Sequence, residues 1–169
     1  YIVYTAQALR NKDFGAALDF VWSRSGTGDY AIRESTSRVK IFHNFKEALT
    51  VRLPIPTAEA LFGGECLGVK GSDCVAFFDW ESGELVRKID VVVRDVFWSE
   101  SGDMVLLSTE DSFFVLQFAR DVVSQTLGRP GGVTADGVDG SFDLLHEVSE
   151  SVRTGQWVGD CFLFTTSTG

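Results

Sequence analysis

The sequence predicts an all-β fold, a portion of a β-propeller with about three to four four-stranded blades in an incomplete ring and one helical insertion. Three observations predict it. Short apolar segments at Tyr1-Ile-Val-Tyr4, Val39-Lys-Ile-Phe42, Val75-Ala-Phe-Phe78 and Phe114-Val-Leu-Gln117 begin 38, 36 and 39 residues apart. Each period carries further short segments rich in Val, Phe, Tyr and Ile, the residues that fit a pleated, half-buried surface. Gly, Asp, Asn and Ser separate them. Radial repetition of four-stranded units gives this pattern, because one such unit cannot cover both of its faces and must stack on neighbours.

The first segment of a unit is expected in Ala17–Trp22, Ala58–Phe62 and Val93–Trp98. The second is expected in Tyr30-Ala-Ile-Arg33, Cys66-Leu-Gly-Val69 and Met104-Val-Leu-Leu-Ser108. The recurring segments above supply the third, so Val39, Val75 and Phe114 should occupy equivalent strands of successive units. The fourth is expected in Leu49-Thr-Val-Arg-Leu53 and Leu85-Val-Arg-Lys-Ile89. Turns are written out in Ser25-Gly-Thr-Gly-Asp29, Gly71-Ser-Asp73, Glu81-Ser-Gly83 and Glu100-Ser-Gly-Asp103. Trp22-Ser-Arg-Ser and Trp98-Ser-Glu-Ser-Gly are near copies 76 residues apart, two units, with Phe62-Gly-Gly in the slot between.

Residues 125–155 interrupt the pattern as a loop-and-helix insertion. Gln125–Gly140 holds five glycines with Asp136 and Asp139 and reads as a loop. Phe142, Leu145, Val148 and Val152 then recur at three or four residues, the spacing of one helix face. A helix over Ser141–Thr154 is expected, with Ser141 as its cap and Gly155 at its end. Strands resume at Gln156–Val158 and Cys161–Thr166, which places the insertion between two strands of one unit. A ring needs about four to eight units. The expectation is therefore that 1–169 is part of a single propeller domain, with a start that is internal or processed because it lacks an initiating Met.

Composition narrows the function. Of 169 residues, 44% are apolar and 23% charged, with 24 Asp and Glu against 15 Lys and Arg, for a net charge of -9. A nucleic-acid partner calls for a basic stripe, and a broad contact with anionic lipid does so too; neither is expected. The longest apolar stretches, such as Val91–Val93 and Met104–Leu107, fall far short of the roughly 20 residues a bilayer span needs. Cys66, Cys74 and Cys161 are odd in number and lack metal-ligand spacing, which fits single thiols in a reducing compartment.

No catalytic constellation, metal site or cofactor site is expected. Asp29, Asp73, Glu81, Glu100 and Asp103 lie in predicted turns and read as solvated. Asp95, before Val96-Phe-Trp98, is a candidate for a hydrogen bond within its unit that fixes a turn. His43 follows a strand and His146 falls on the polar side of the expected helix, so the two imidazoles do not form a ligand set. Cys66 and Cys74 straddle a hairpin and read as buried small residues. The glycine pairs at 63–64 and 131–132 are not followed by Lys-Ser/Thr, so no phosphate loop is expected. The aromatic residues Phe42, Phe77, Phe78, Phe97, Phe113, Phe114, Phe162 and Phe164 read as packing between sheets. Arg33, Lys40, Arg52, Arg87 and Lys88 are expected on exposed strand edges; Arg87 and Lys88 are the candidate protein-contact residues.

Longer runs carry a family resemblance. Tyr1-Ile-Val-Tyr-Thr-Ala6, Leu9-Arg-Asn-Lys-Asp-Phe-Gly15, Tyr30-Ala-Ile-Arg-Glu-Ser35, Val39-Lys-Ile-Phe-His-Asn-Phe-Lys-Glu47, Ala76-Phe-Phe-Asp-Trp80, Phe97-Trp-Ser-Glu-Ser-Gly102, Thr109-Glu-Asp-Ser-Phe-Phe114, Gly132-Val-Thr-Ala-Asp-Gly137 and Thr154-Gly-Gln-Trp-Val-Gly-Asp-Cys-Phe162 resemble, in order and across nearly the whole chain, the second WD40 propeller of coatomer beta-prime subunits. The Gly-His and Trp-Asp signatures of ordinary WD repeats are nearly absent, and Asp79-Trp80 reverses the second.

The resemblance implies an internal piece of a longer subunit of the COPI vesicle coat. It implies a non-enzymatic structural and interaction platform in Golgi-to-ER and intra-Golgi transport. Implied partners are other coatomer subunits, especially alpha, on a coat recruited by a small GTPase. Implied locations are the cytoplasm and, peripherally, Golgi membranes and COPI-coated vesicles. In that family cargo tails are read by a propeller outside this stretch. The alternatives are a propeller adaptor of another scaffold complex, told apart by its partners, and a propeller hydrolase, which needs a carboxylate cluster or metal at the ring's central opening.

Overall fold

The computed structural model describes residues 2–4, 11–14, 18–24, 28–127, 129, 134–159 and 161–166. β1 (Ile2–Tyr4) pairs with β2 (Asn11–Phe14) in a two-stranded sheet. Three four-stranded sheets follow. The first holds β3 (Asp19–Trp22), β4 (Tyr30–Arg33), β5 (Val39–His43) and β6 (Lys46–Thr50). The second holds β7 (Ala60–Phe62), β8 (Leu67–Lys70), β9 (Val75–Phe78) and β10 (Leu85–Ile89). The third holds β11 (Asp95–Trp98), β12 (Met104–Ser108), β13 (Phe113–Phe118) and β14 (Phe142–Val148). β15 (Thr154–Val158) and β16 (Cys161–Thr165) form a last pair. Every sheet is an antiparallel meander in chain order.

Val39, Val75 and Phe114 therefore lie on β5, β9 and β13, each the third strand of its sheet, as the spacing expects. A second regularity appears in the register. In all three complete sheets the third and fourth strands slip past one another by a bulge, at Ile41/Phe42, Leu85/Arg87 and Val115/Leu116. The first and second strands pair without one. β1 and β2 carry such a shift at Val3/Tyr4, and β15 and β16 do not. The short pairs thus match the second half of a preceding unit and the first half of a following one.

Strand alternation sends successive side chains to opposite faces, and here both faces of a sheet are buried. On β9, Ala76 and Phe78 enter the core shared with the first sheet, beside Ala31, Val39 and Ile41. Val75 and Phe77 enter the core shared with the third sheet, beside Trp98, Val105 and Leu107. Leu106 and Phe113 point the other way, to a core with Val152 and Trp157. Tyr30 and Phe42 stack with ring centroids 4.6 Å apart on the far face of the first sheet. Phe77, Phe78, Phe97, Phe113 and Phe162 pack between sheets as expected, whereas Phe42 packs within its own sheet, Phe114 joins no core and Phe164 stays 37% exposed.

Two expected elements are corrected. The fourth strand of the first sheet is Lys46–Thr50, earlier than Leu49–Leu53. Asn44 and Phe45 both take positive φ, 49° and 65°, and close a two-residue turn between His43 and Lys46 that contains no glycine to announce it. The helix expected over Ser141–Thr154 is strand β14, and the helix is α1 (Arg120–Thr126) instead. Leu145 is the extra residue of the β13/β14 bulge: Val115 pairs with His146 and Leu116 with Leu144. The bulge flips the alternation, so Phe142 faces the core with the second sheet and Val148 the core beyond. That phase change imitates helical spacing, and Leu145 is exposed. Ser141 caps no helix; its buried hydroxyl donates to the Val138 carbonyl at 2.7 Å. Gly155 lies within β15. The helix does sit between the third and fourth strands of one unit, as an insertion should. The expected turn residues 25–27 and the loop residues 128 and 130–133 lie outside the described residues.

Candidate interaction surface

The surface is built from the outer strands and from the ends of the sheets. β10 is the fourth strand of the second sheet, and the insertion returns to cover it. Val138 N–H donates to the Val86 carbonyl at 2.6 Å, and Lys88 N–H donates to the Asp136 carbonyl at 2.9 Å. Arg87 and Gly137 form an antiparallel bridge. Gly137 has φ 107°, and a Cβ there would run into the Val86 carbonyl oxygen, so this close approach requires glycine. The two candidate contact residues are consequently engaged inside the chain. The Arg87 guanidinium lies 3.3 Å from Asp139, and the Lys88 ammonium 3.8 Å from Asp90. Both side chains are half-buried at the junction of β10 and the insertion.

Arg33 and Lys40 also find partners in the chain. Arg33 donates to Asp19 at 2.6 Å with only 12% of its side chain exposed, so the exposed-edge expectation fails there. Lys40, on the inner strand β5 with 19% of its side chain exposed, lies 3.0 Å from Glu47 and 3.4 Å from Glu34, so the exposed-edge expectation fails there too. Hydrogen bonding to Glu47, with help from Glu34, holds its ammonium above the ordinary lysine value. Arg52 is exposed.

A polar cavity of about 470 Å³ opens where the first two sheets end, lined by Arg24, Asp29, His43, Glu65, Asp79 and Glu81 among others. Arg24, Asp29, His43, Glu65 and Asp79 each have structural work. The Arg24 guanidinium donates to the carbonyls of Trp98, Ser99 and Glu100, bridging from the first sheet to the third. His43 Nε2–H donates to the Trp80 carbonyl at 2.6 Å. Asp79 accepts from the Ser82 amide and hydroxyl at 2.9 and 2.8 Å, and Asp29 accepts from the Asn44 amide at 3.1 Å. Glu65 pairs with Arg120 at 3.2 Å. A general acid–base pair needs two carboxylates aimed at one point, whereas Asp29 and Asp79 are spent on separate turns and Glu65 on Arg120. Asp73, Glu81, Glu100 and Asp103 lie in turns as expected. Asp95 is exposed at the start of β11 and makes no side-chain hydrogen bond among the described residues, so its expected turn-fixing bond is absent there.

Among the described residues no three His, Cys, Asp or Glu side chains converge on a point that would hold a metal ion. His146 lies on β14. Cys66 and Cys74 are buried, as expected, but in different cores. Burial pushes both thiols up from their ordinary value, with Asp79 and Glu65 adding to the effect at Cys66. A thiol held protonated is a poor nucleophile and a poor metal ligand. No helix among the described residues is long and apolar enough to cross a membrane.

β14 escaped the sequence reading. It is the outer strand of the third sheet and seven residues long, with Leu144 57% and Leu145 42% exposed. The signal available for it was a run of β-compatible residues after Gly140, masked by the bulge.

Comparison with known proteins agrees with this architecture. A family model described as the COPA/B second beta-propeller matches residues 1–168. The chain is 49% identical over 168 residues to putative coatomer subunit beta'-3 of Oryza sativa subsp. japonica, and 47% identical over 167 residues to coatomer subunit beta' of Homo sapiens. Each match covers 99% of this chain and 18% of the relative. A crystal structure of a functionally unknown protein from Desulfotomaculum acetoxidans superposes with a TM-score of 0.57 at 12% identity, over 88% of this chain and 48% of that one. At that identity the likeness concerns fold alone.

Proposed function

The chain belongs to the COPA/B second beta-propeller family, and on that premise we propose that it is a non-enzymatic structural and interaction platform within a COPI coat subunit. Residues 1–169 are read as part of a single WD40-like propeller domain of that subunit. The family match along the whole run of stacked sheets carries the reading. The chain spans 18% of the length of the curated relatives it matches, so the partners and traffic of the whole protein belong to the proposal. The partners are other coatomer subunits, above all alpha, on a coat recruited by a small GTPase. The protein works in Golgi-to-ER and intra-Golgi transport, in the cytoplasm and peripherally on Golgi membranes and COPI-coated vesicles. Cargo tails are bound by a propeller outside this stretch.

The physical logic favours a platform. Burial of the four-stranded sheets on both faces makes neighbouring blades mutually dependent, so the surface keeps its shape when a partner docks. Arg87 and Lys88, with the insertion strapped to their strand, form part of the rim offered to partners. The test is recovery of the full-length protein, tagged in its own cells, under gentle conditions. The other coatomer subunits are expected with it, and their reproducible absence from folded bait overturns the assignment. Charge reversal at Arg87 and Lys88, set beside a surface control elsewhere, reads the contribution of that rim.

A further inference from the structure

We propose that β14 is a docking edge for an extended segment of a partner protein in which Lys or Arg residues flank an apolar one. The edge itself is the first observation. β14 pairs with β13 on one side, and no described residue pairs with its other side. A long edge strand is a template for another strand, and proteins ordinarily blunt it with charge, Pro, a bulge or a covering segment. All three outer strands share a bulge, β14's at Leu145, and each neighbouring outer strand adds a second device. β6 carries Lys46, and β10 is covered by Asp136–Val138 of the insertion. β14 has neither Lys nor Pro and presents Leu144 and Leu145 to solvent.

The second observation is that the equivalent edge already accepts an added segment. The bonds from Lys88 N–H to Asp136 and from Val138 N–H to Val86 are the ladder that strand addition would use. The third is charge. Between Ser141 and Val152 the chain places Asp143, Glu147 and Glu150 and no Lys or Arg. Asp143 and Glu147 are exposed on either side of the two leucines. An apolar centre with a carboxylate at each end is complementary to an extended segment with the reverse charge pattern. His146, also exposed, is the other ionisable group on the strand. The inference rests on reading the chain as an interaction platform and adds the partner's chemistry.

The experiment uses the full-length protein in its native assembly, with a photo-crosslinking amino acid in place of Leu144 and mass-spectrometric sequencing of the joined peptide. A peptide from a different polypeptide, with Lys or Arg on both sides of an apolar residue, is expected. Amides of 142–148 should exchange about ten-fold more slowly in the assembly than in the isolated full-length protein. The double substitution Asp143→Lys, Glu147→Lys should cut the crosslink at least about five-fold while exchange in β12 stays unchanged. A crosslink within the same polypeptide, to a second copy, to a segment without basic residues, or none at all overturns the proposal. So does unchanged amide exchange, or a yield indifferent to the charge reversal in a folded variant. Loss of coatomer subunits from the purified assembly would sink the coat assignment while leaving the crosslink to be read, so the two failures are distinct.

Discussion

The indole N–H of Trp157 donates to the carbonyl of Phe97 at 2.9 Å, tying the first strand of one sheet to the first strand of the sheet before it. Trp157 is 7% exposed, so its ring fills a core while its one polar atom reaches a backbone acceptor. Trp157→Phe keeps most of the packing and removes the donor. It should destabilise the β11–β15 contact by about 1 kcal/mol, the usual net worth of one such bond. Amide exchange localised to β15 in the intact protein checks this; equal rates in the two proteins would mean that packing alone holds the sheets.

Gly137→Ala should release the insertion from β10. The new Cβ meets the Val86 carbonyl, and the backbone stands at φ 107°. Both effects oppose the added strand, and the cost should exceed about 1 kcal/mol. Exchange at the Lys88 and Val138 amides, the two donors across this junction, should rise together. Gly159→Ala is the matched control, with positive φ but nothing near its Cβ.

Leu145→Asp should leave stability within about 0.5 kcal/mol, because the residue is an exposed bulge on an outer strand. Leu106→Asp, fully buried, should prevent folding of the domain. Protein recovery and denaturant midpoints separate the two, and a large loss at position 145 would contradict the strand assignment.

Cys161 should react with an alkylating reagent in the native protein, while Cys66 and Cys74 react only on unfolding. Burial raises the two inner thiols, so folding favours their protonated form. Their contribution is fully present below the ordinary thiol value of 9.0 and falls as pH rises above it, because the unfolded chain then sheds the proton first. Stability should therefore decline in alkali more steeply than in a variant with both inner cysteines replaced by alanine. Peptide mapping after alkylation checks the first expectation, and urea titrations across that pH range check the second.

The repeat was legible because every unit reuses one arrangement. Val39, Val75 and Phe114 recur at nearly constant spacing since each opens or nearly opens a third strand, and Trp22 and Trp98 are near copies because each ends a first strand. The helix was not legible. α1 has seven residues, no side-chain cap, and Val123 as its buried contact, too short a stretch to display a period. β14 misled because a bulge shifts its phase. At Arg87 and Lys88 the sequence showed an outer strand correctly, but Asp139, which pairs with the Arg87 side chain, and Asp136, which accepts from the Lys88 N–H, lie about fifty residues away, and only the returning chain brings them there.

Phe118 and Phe142 sit directly opposite one another on β13 and β14, although twenty-three residues separate them in sequence. The chain leaves the sheet and comes back at a single doorway. Closing a longer excursion there costs little, since the entropy of closure grows only with the logarithm of length. The doorway is thus a natural splice point, where evolution could lengthen the excursion, and an experimenter could seat a fluorescent reporter between Leu127 and Thr134, without asking any inner strand to move.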